Sequence, residues 1–172
     1  MEPSEAIDLI RGGVAAPGGV WADLGAGSGT FTLALATLLG QEGVVHAVDL
    51  RPGVQAAEAT AKRAGVVPHR ADFTGPLPLP ELDGIVMANA LHFVRDQASL
   101  LGALVGHLKQ GAAFILVEYD QRRGGRWVPH PLPPDRFAAM APAAGLSRPR
   151  EIGRIRSRYG PQDIYAAVAL RS

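Results

Sequence analysis

The sequence predicts an α/β fold: a three-layer sandwich with a mostly parallel, seven-stranded sheet between helices. Three observations point there. Short apolar runs alternate with longer segments of helical periodicity. Glycine and proline stand at the joints between them. Near the end the alternation breaks, and two strand-like runs flank a Gly-Pro turn.

Taken in order, residues Ser4–Arg11 read as one short helix. The first strand is Val20–Leu24, "VWADL". A glycine-rich turn leads to a helix over Gly29–Leu39, stopped by Gly40. The second strand, Val44–Leu50, leads through Pro52 to a predicted helix over Gly53–Ala64, stopped by Gly65. The third strand is Val66–Arg70. Pro68 within it cannot donate a ladder hydrogen bond, which places that strand at an edge. Gly84–Ala88 is the fourth strand. Asp96 can cap a helix over Gln97–Lys109, stopped by Gly111, and Ala112–Tyr119 is the fifth strand. Residues 121–134 hold two glycines and four prolines, the composition of an irregular loop. A short helix over Asp135–Ala144 ends at Gly145. "EIGRIRSR" and "DIYAAVAL" then form a hairpin at the other sheet edge.

The 172 residues fit one domain spanning 1–172, and 47% hydrophobic with 19% charged residues is a globular balance. The acidic start, "MEPSEAIDLIRGG", does not resemble a secretory signal, and no run is long enough for a membrane span, so a cytoplasmic location is expected. There is no cysteine, which excludes disulfides, thiolate metal sites and cysteine nucleophiles. Net charge is only +1 but uneven: residues 1–120 carry 7 basic and 13 acidic side chains, residues 121–172 carry 10 and 3. Every basic residue of that tail is arginine. A solvated arginine-rich surface is the expected reading, an anion-binding rim the alternative.

The turn "DLGAGSG" places glycines at alternate positions between a strand and a helix. Bare backbone there lets a ligand lie against the helix start. Dinucleotide folds want a third glycine where Thr30 stands. The motif resembles instead the first motif of class I S-adenosylmethionine-dependent methyltransferases. "VHAVDL" with Asp49, "HRADF" with Asp72 and Phe73, "GIVMANALHFV" with Asn89 and "LKQGAAFILVEYD" continue the resemblance in order over about residues 17–172. It implies the strand order 3-2-1-4-5-7-6, with strand 7 antiparallel. It implies S-adenosylmethionine as cofactor and S-adenosylhomocysteine as product. On this resemblance Asp49 accepts from the ribose hydroxyls, Leu50 packs against adenine, Asp72 accepts from the adenine amino group, and the Phe73 amide faces a ring nitrogen. Gly25, Ala26, Gly27 and Asn89 border the methionine part, and Asp23 orients the loop and helps hold the methionine ammonium.

Methyl transfer needs positioning, exclusion of water and, for some acceptors, a base. Groups available for the acceptor side are His92, Glu118, Tyr119, Trp127, Ser157 and Tyr159, with His92, Glu118 and Tyr119 as catalytic candidates. No metal site is expected. The absence of an "NPPY"-type strand end speaks against nucleobase or glutamine amino methylation. Two lysines, Lys62 and Lys109, cannot build a lysine-based RNA ribose site. The leading expectation is a methyltransferase acting on a small molecule, as a monomer or homodimer. The alternatives are an RNA or protein methyltransferase using Arg154, Arg156 and Arg158 of "RIRSR", an NAD(P)-dependent oxidoreductase, and a non-catalytic cofactor-binding subunit.

Overall fold

A computed structural model describes all 172 residues. Near-continuous apolar runs, too short for helices, become the central strands of a parallel sheet. These are β1 (Gly19–Leu24), β2 (Gly43–Asp49), β3 (Gly65–Arg70), β4 (Leu82–Ala88) and β5 (Leu108–Tyr119), followed by β6 (Arg150–Arg156) and β7 (Asp163–Leu170). The order is β3-β2-β1-β4-β5-β7-β6, as the resemblance implies. Only β7 runs against its neighbours, pairing antiparallel with both β5 and β6. Strand β3, with Pro68, lies at the edge.

Side-chain alternation sorts the apolar residues into two layers. Trp21, Val45, Val86, Ile115, Val117 and Ala166 meet helices α1 (Pro3–Ile10) and α2 (Thr30–Leu39) on one face. Leu24, Ile85, Met87, Phe114, Leu116 and Tyr165 meet α3 (Gln97–Val105) and α4 (Pro134–Met140) on the other. Asp96 caps α3 by accepting from the Ser99 amide at 3.2 Å.

Three expectations fail. Residues 53–64 are not helical. An alanine-rich helix there would bury little more than methyl groups, and of its residues only Ala64 is buried. The backbone instead satisfies the open edge of the sheet: Ala57 and Val66 exchange amide-to-carbonyl bonds of 3.0 and 2.7 Å. The Gly53 amide donates to the Gly27 carbonyl at 2.7 Å, so the segment leaves β2 pinned to the glycine turn. Second, α3 stops at Val105, not Lys109. Leu108 is fully buried beside Leu82 and already belongs to β5, so burial in the sheet overrides the helical pattern. Asp135–Ala144 likewise divides into α4 and a 3-10 turn at Pro142–Ala144, because Pro142 cannot donate to a continuing helix.

Gly84 of β4 stands opposite Trp21 of β1, and the indole fills the space a Cβ would take. Gly84→Ala should therefore cost about 1–3 kcal/mol through overpacking. Urea unfolding measures it, and an unchanged midpoint would mean that the indole has room to move.

Candidate active site

Parallel strands deliver their carboxyl ends to one rim of the sheet, where open α/β folds bind ligands. After β1 the chain must turn sharply into α2, and Gly25, Gly27 and Gly29 all take positive φ to do so. The amides of Gly25 and Ala26 both donate to the Val48 carbonyl, at 2.8 and 3.1 Å. A Cβ on Gly25 would strike Ala90, an internal reason for glycine. Gly27 differs: a Cβ there meets only the Gly25 carbonyl, at 3.9 Å. Its exposed backbone leaves room for a ligand.

The turn floors a cavity of about 310 Å³, with Asp23, Asn89 and Tyr119 beside it. Asp23 is almost wholly buried and accepts from the Thr32 hydroxyl at 2.6 Å. Burial pushes its carboxyl up to about 6, helped by the nearby Asp49 charge and opposed by the Thr32 bond. Asn89 adopts φ 51°, donates its amide to Val117 at 2.8 Å, and leaves a buried side-chain oxygen without a partner. An acceptor left bare inside a protein costs stability unless a ligand satisfies it. A buried carboxylate, an orphan acceptor and a bare glycine turn together suit the cationic amino-acid part of S-adenosylmethionine.

The residues expected at the adenosine end lie outside this cavity. Asp49 uses one oxygen on the Gly27 amide at 2.9 Å and the other on the Arg51 amide at 2.8 Å. Each oxygen keeps lone-pair capacity for a hydroxyl donor. Leu50 is largely exposed. Asp72 accepts from the Thr74 amide and hydroxyl through a single oxygen, at 2.9 and 2.7 Å, and these bonds hold its carboxyl below the usual range. Its second oxygen stays free. Phe73 packs beside Gly25.

A second cavity, about 710 Å³, adjoins the first, and Asn89, Tyr119 and Tyr159 line both. His92 lies on its wall, in a 3-10 turn (Leu91–Phe93) after β4. Parallel pairing of Ala88 with Val117 brings that turn beside the end of β5. Glu118 there is fully buried, and its carboxylate accepts from His92 twice: from the backbone amide at 3.1 Å and from Nδ1 at 2.7 Å. Glu118 lines neither cavity; its carboxylate contacts are those with His92. Tyr119 borders both cavities, and burial followed by the Glu118 charge raises its hydroxyl above the ordinary value. Trp127 and Tyr159 line the second cavity; Ser157 lines neither and accepts from the Tyr159 amide.

Sequence reasoning missed several contributors. Gln97 donates to the carbonyls of Leu91 and His130, at 3.2 and 2.8 Å, and so braces the His92 turn. Thr32 holds Asp23. Met1 and Glu5 of the N-terminal region wall the first cavity with Arg156 and Arg158. The contrast between an acidic start and an arginine-rich end was the available signal for this last contact. Of the three arginines singled out, Arg154 is held by Glu151 and Asp120 at 2.8 Å, and Arg158 by Glu5 at 2.9 Å. Arg156 lies 3.9 Å from Asp163. They do not form a bare cationic face.

A family model described as a methyltransferase domain matches residues 22–114. This chain belongs to that family, the class I S-adenosylmethionine-dependent methyltransferases. The assignment sets aside the oxidoreductase alternative. Solved structures agree on the fold. The Burkholderia thailandensis 1,6-didemethyltoxoflavin-N1-methyltransferase, with that compound and S-adenosylhomocysteine bound, is 18% identical with a TM-score of 0.74, over 99% of this chain and 78% of that one. A methyltransferase from Aquifex aeolicus is 17% identical with a TM-score of 0.67, over 100% of both chains. An arsenic(III) S-adenosylmethionine methyltransferase from Chlamydomonas reinhardtii is 18% identical with a TM-score of 0.67; the match covers 93% of this chain but 64% of that one. No curated protein sequence matches. No helix is long and apolar enough to cross a membrane.

Asp23 gives a pH signature. The native carboxyl keeps its proton to about 6, whereas the unfolded one releases it near 3.8. Between these values the native state binds more protons, so stability falls as pH rises. Relative to Asp23→Asn, the wild type should lose about 2 kcal/mol from pH 4 to pH 6. Denaturant titrations at each pH test this; parallel profiles would contradict it.

Proposed function

We propose that this chain methylates a small molecule, with His92 as the base that takes the acceptor's proton. The observation that carries the reading is the buried His92–Glu118 pair, whose His92 lies on the wall of a cavity that shares Asn89, Tyr119 and Tyr159 with the glycine-turn cavity. Bound S-adenosylmethionine supplies a methyl group already activated by a sulfonium. Asp23, the Gly25–Gly27 turn and Asn89 hold its amino-acid end; Asp49 holds the ribose; Asp72, Leu50 and the Phe73 amide receive adenine. The chain's remaining tasks are to orient the acceptor, exclude water and accept a proton.

A carboxylate only accepts hydrogen bonds, so Glu118 places the imidazole hydrogen on Nδ1 and leaves Nε2 a free lone pair. His92 is the catalytic residue and Glu118 its positioning residue; Tyr119 stands where the cavities meet and orients the acceptor. Pairing of Arg154 and Arg158 with carboxylates favours a small acceptor over RNA, whose phosphates would have to displace those partners. The methyltransferase neighbours with small-molecule acceptors in their names, such as the Burkholderia enzyme, are in keeping with this.

Labelled-methyl transfer into fractionated metabolites, RNA and protein tests the reading. Label confined to macromolecules would overturn it, and cofactor binding with no transfer to any pool would make the chain a binding subunit. Asp49→Ala should weaken S-adenosylhomocysteine binding by about 2–4 kcal/mol, read by calorimetry; unchanged affinity removes its assigned role. Glu118→Gln sets an amide NH2 against one of two donors on His92, which drives the ring hydrogen to Nε2. That variant should lower kcat about 100-fold or more with cofactor affinity intact. Loss of kcat matched by loss of cofactor binding would mark the pair as purely structural.

A further inference from the structure

The second cavity collects the chain's loose aromatic rings. The chain has ten Phe, Trp and Tyr residues. Phe93, Trp127 and Tyr159 are the three that stand largely exposed, at 60%, 77% and 82%. All three line this one cavity, with Tyr119 as a fourth ring. Rings of this size normally gain by burial, so three left bare around one space present unused stacking surface. Arg126 lies over the Trp127 ring at 5.5 Å and steadies it from one side. Phe93 and His92 are adjacent rings, their centroids 4.3 Å apart. A flat molecule lying against Phe93 therefore has its rim beside the imidazole. At about 710 Å³ the space falls within the usual range for small ligands.

We propose that the acceptor is a planar hydroxyaromatic molecule, stacked among Phe93, Trp127 and Tyr159 and methylated on its hydroxyl oxygen. This rests on the small-molecule reading above and names its substrate class. The base points to the same class. A phenolic hydroxyl ionises near 10, as tyrosine does, and methylation of its oxygen releases a proton that a positioned base can take. In the step, the oxygen forms its bond to the methyl carbon as the carbon–sulfur bond of the donor breaks. That electron pair stays on sulfur, and the phenolic proton passes to His92 Nε2.

The test is calorimetric titration of the full chain, saturated with S-adenosylhomocysteine, with 2-naphthol and with decahydro-2-naphthol, which keeps the carbon skeleton and hydroxyl but lacks the flat ring. We expect 2-naphthol to bind at least ten-fold more tightly. Trp127→Ala and Phe93→Ala, both at largely exposed positions that line only the second cavity, should each erase much of that preference while S-adenosylhomocysteine binds as before. Equal binding of the two alcohols, or variants that keep the full preference, would overturn the inference and leave the methyltransferase reading standing. Failure of S-adenosylhomocysteine itself to bind would overturn the underlying reading, and the inference with it.

Discussion

Two amides, those of Gly25 and Ala26, share one carbonyl, that of Val48. This pair of bonds ties the turn after β1 to the end of β2, and the rest of the site is placed from it. It aims α2 back across the sheet, presents Gly27 to open space, and brings Asp49 within reach of the Gly27 amide. The neighbouring 51–64 segment is fastened to the same turn through Gly53. Glycine is required because an L side chain would be strained at these backbone angles and, at Gly25, would collide with Ala90.

The two cavities follow from the topology. Strands β2 and β4 leave opposite sides of β1, so the rim divides there into a carboxylate-bearing half and a half occupied by the His92 turn. Burial then separates the roles of the acids. Asp49 and Asp72 stay near water with amide partners and lone pairs to spare. Asp23 and Glu118 are sealed in, each with a polar side chain that makes burial tolerable. Asn89 sits between the two halves and touches both.

Much of this was legible in the sequence because it is local. A strand, a glycine turn and a helix occupy some twenty consecutive residues, and Pro68 announces an edge without any partner being known. The acidic and amide residues at the strand tips could be named from the motifs that carry them. Other features depend on distant partners. Glu118 and His92 are 26 residues apart, and only the β4–β5 register shows that one lies behind the other. The alanine spacing of residues 53–64 fits a helix, yet the unpaired edge of β3 offered that backbone better bonds. Leu108 looks like the continuation of a helix face until the adjacent strand claims it. Arginine-rich composition cannot reveal that Arg154 and Arg158 already have carboxylate partners.

The margins of the sheet carry a consequence for self-association. At one margin Pro68 lacks a donor, and the Ala57–Val66 pairing covers part of what remains. At the other, β6 carries exposed charged side chains, Arg150, Glu151 and Arg156, and charges on an edge strand disfavour the addition of another. Both borders are therefore poor templates for growth by added strands, and the sheet is disposed to stop at seven.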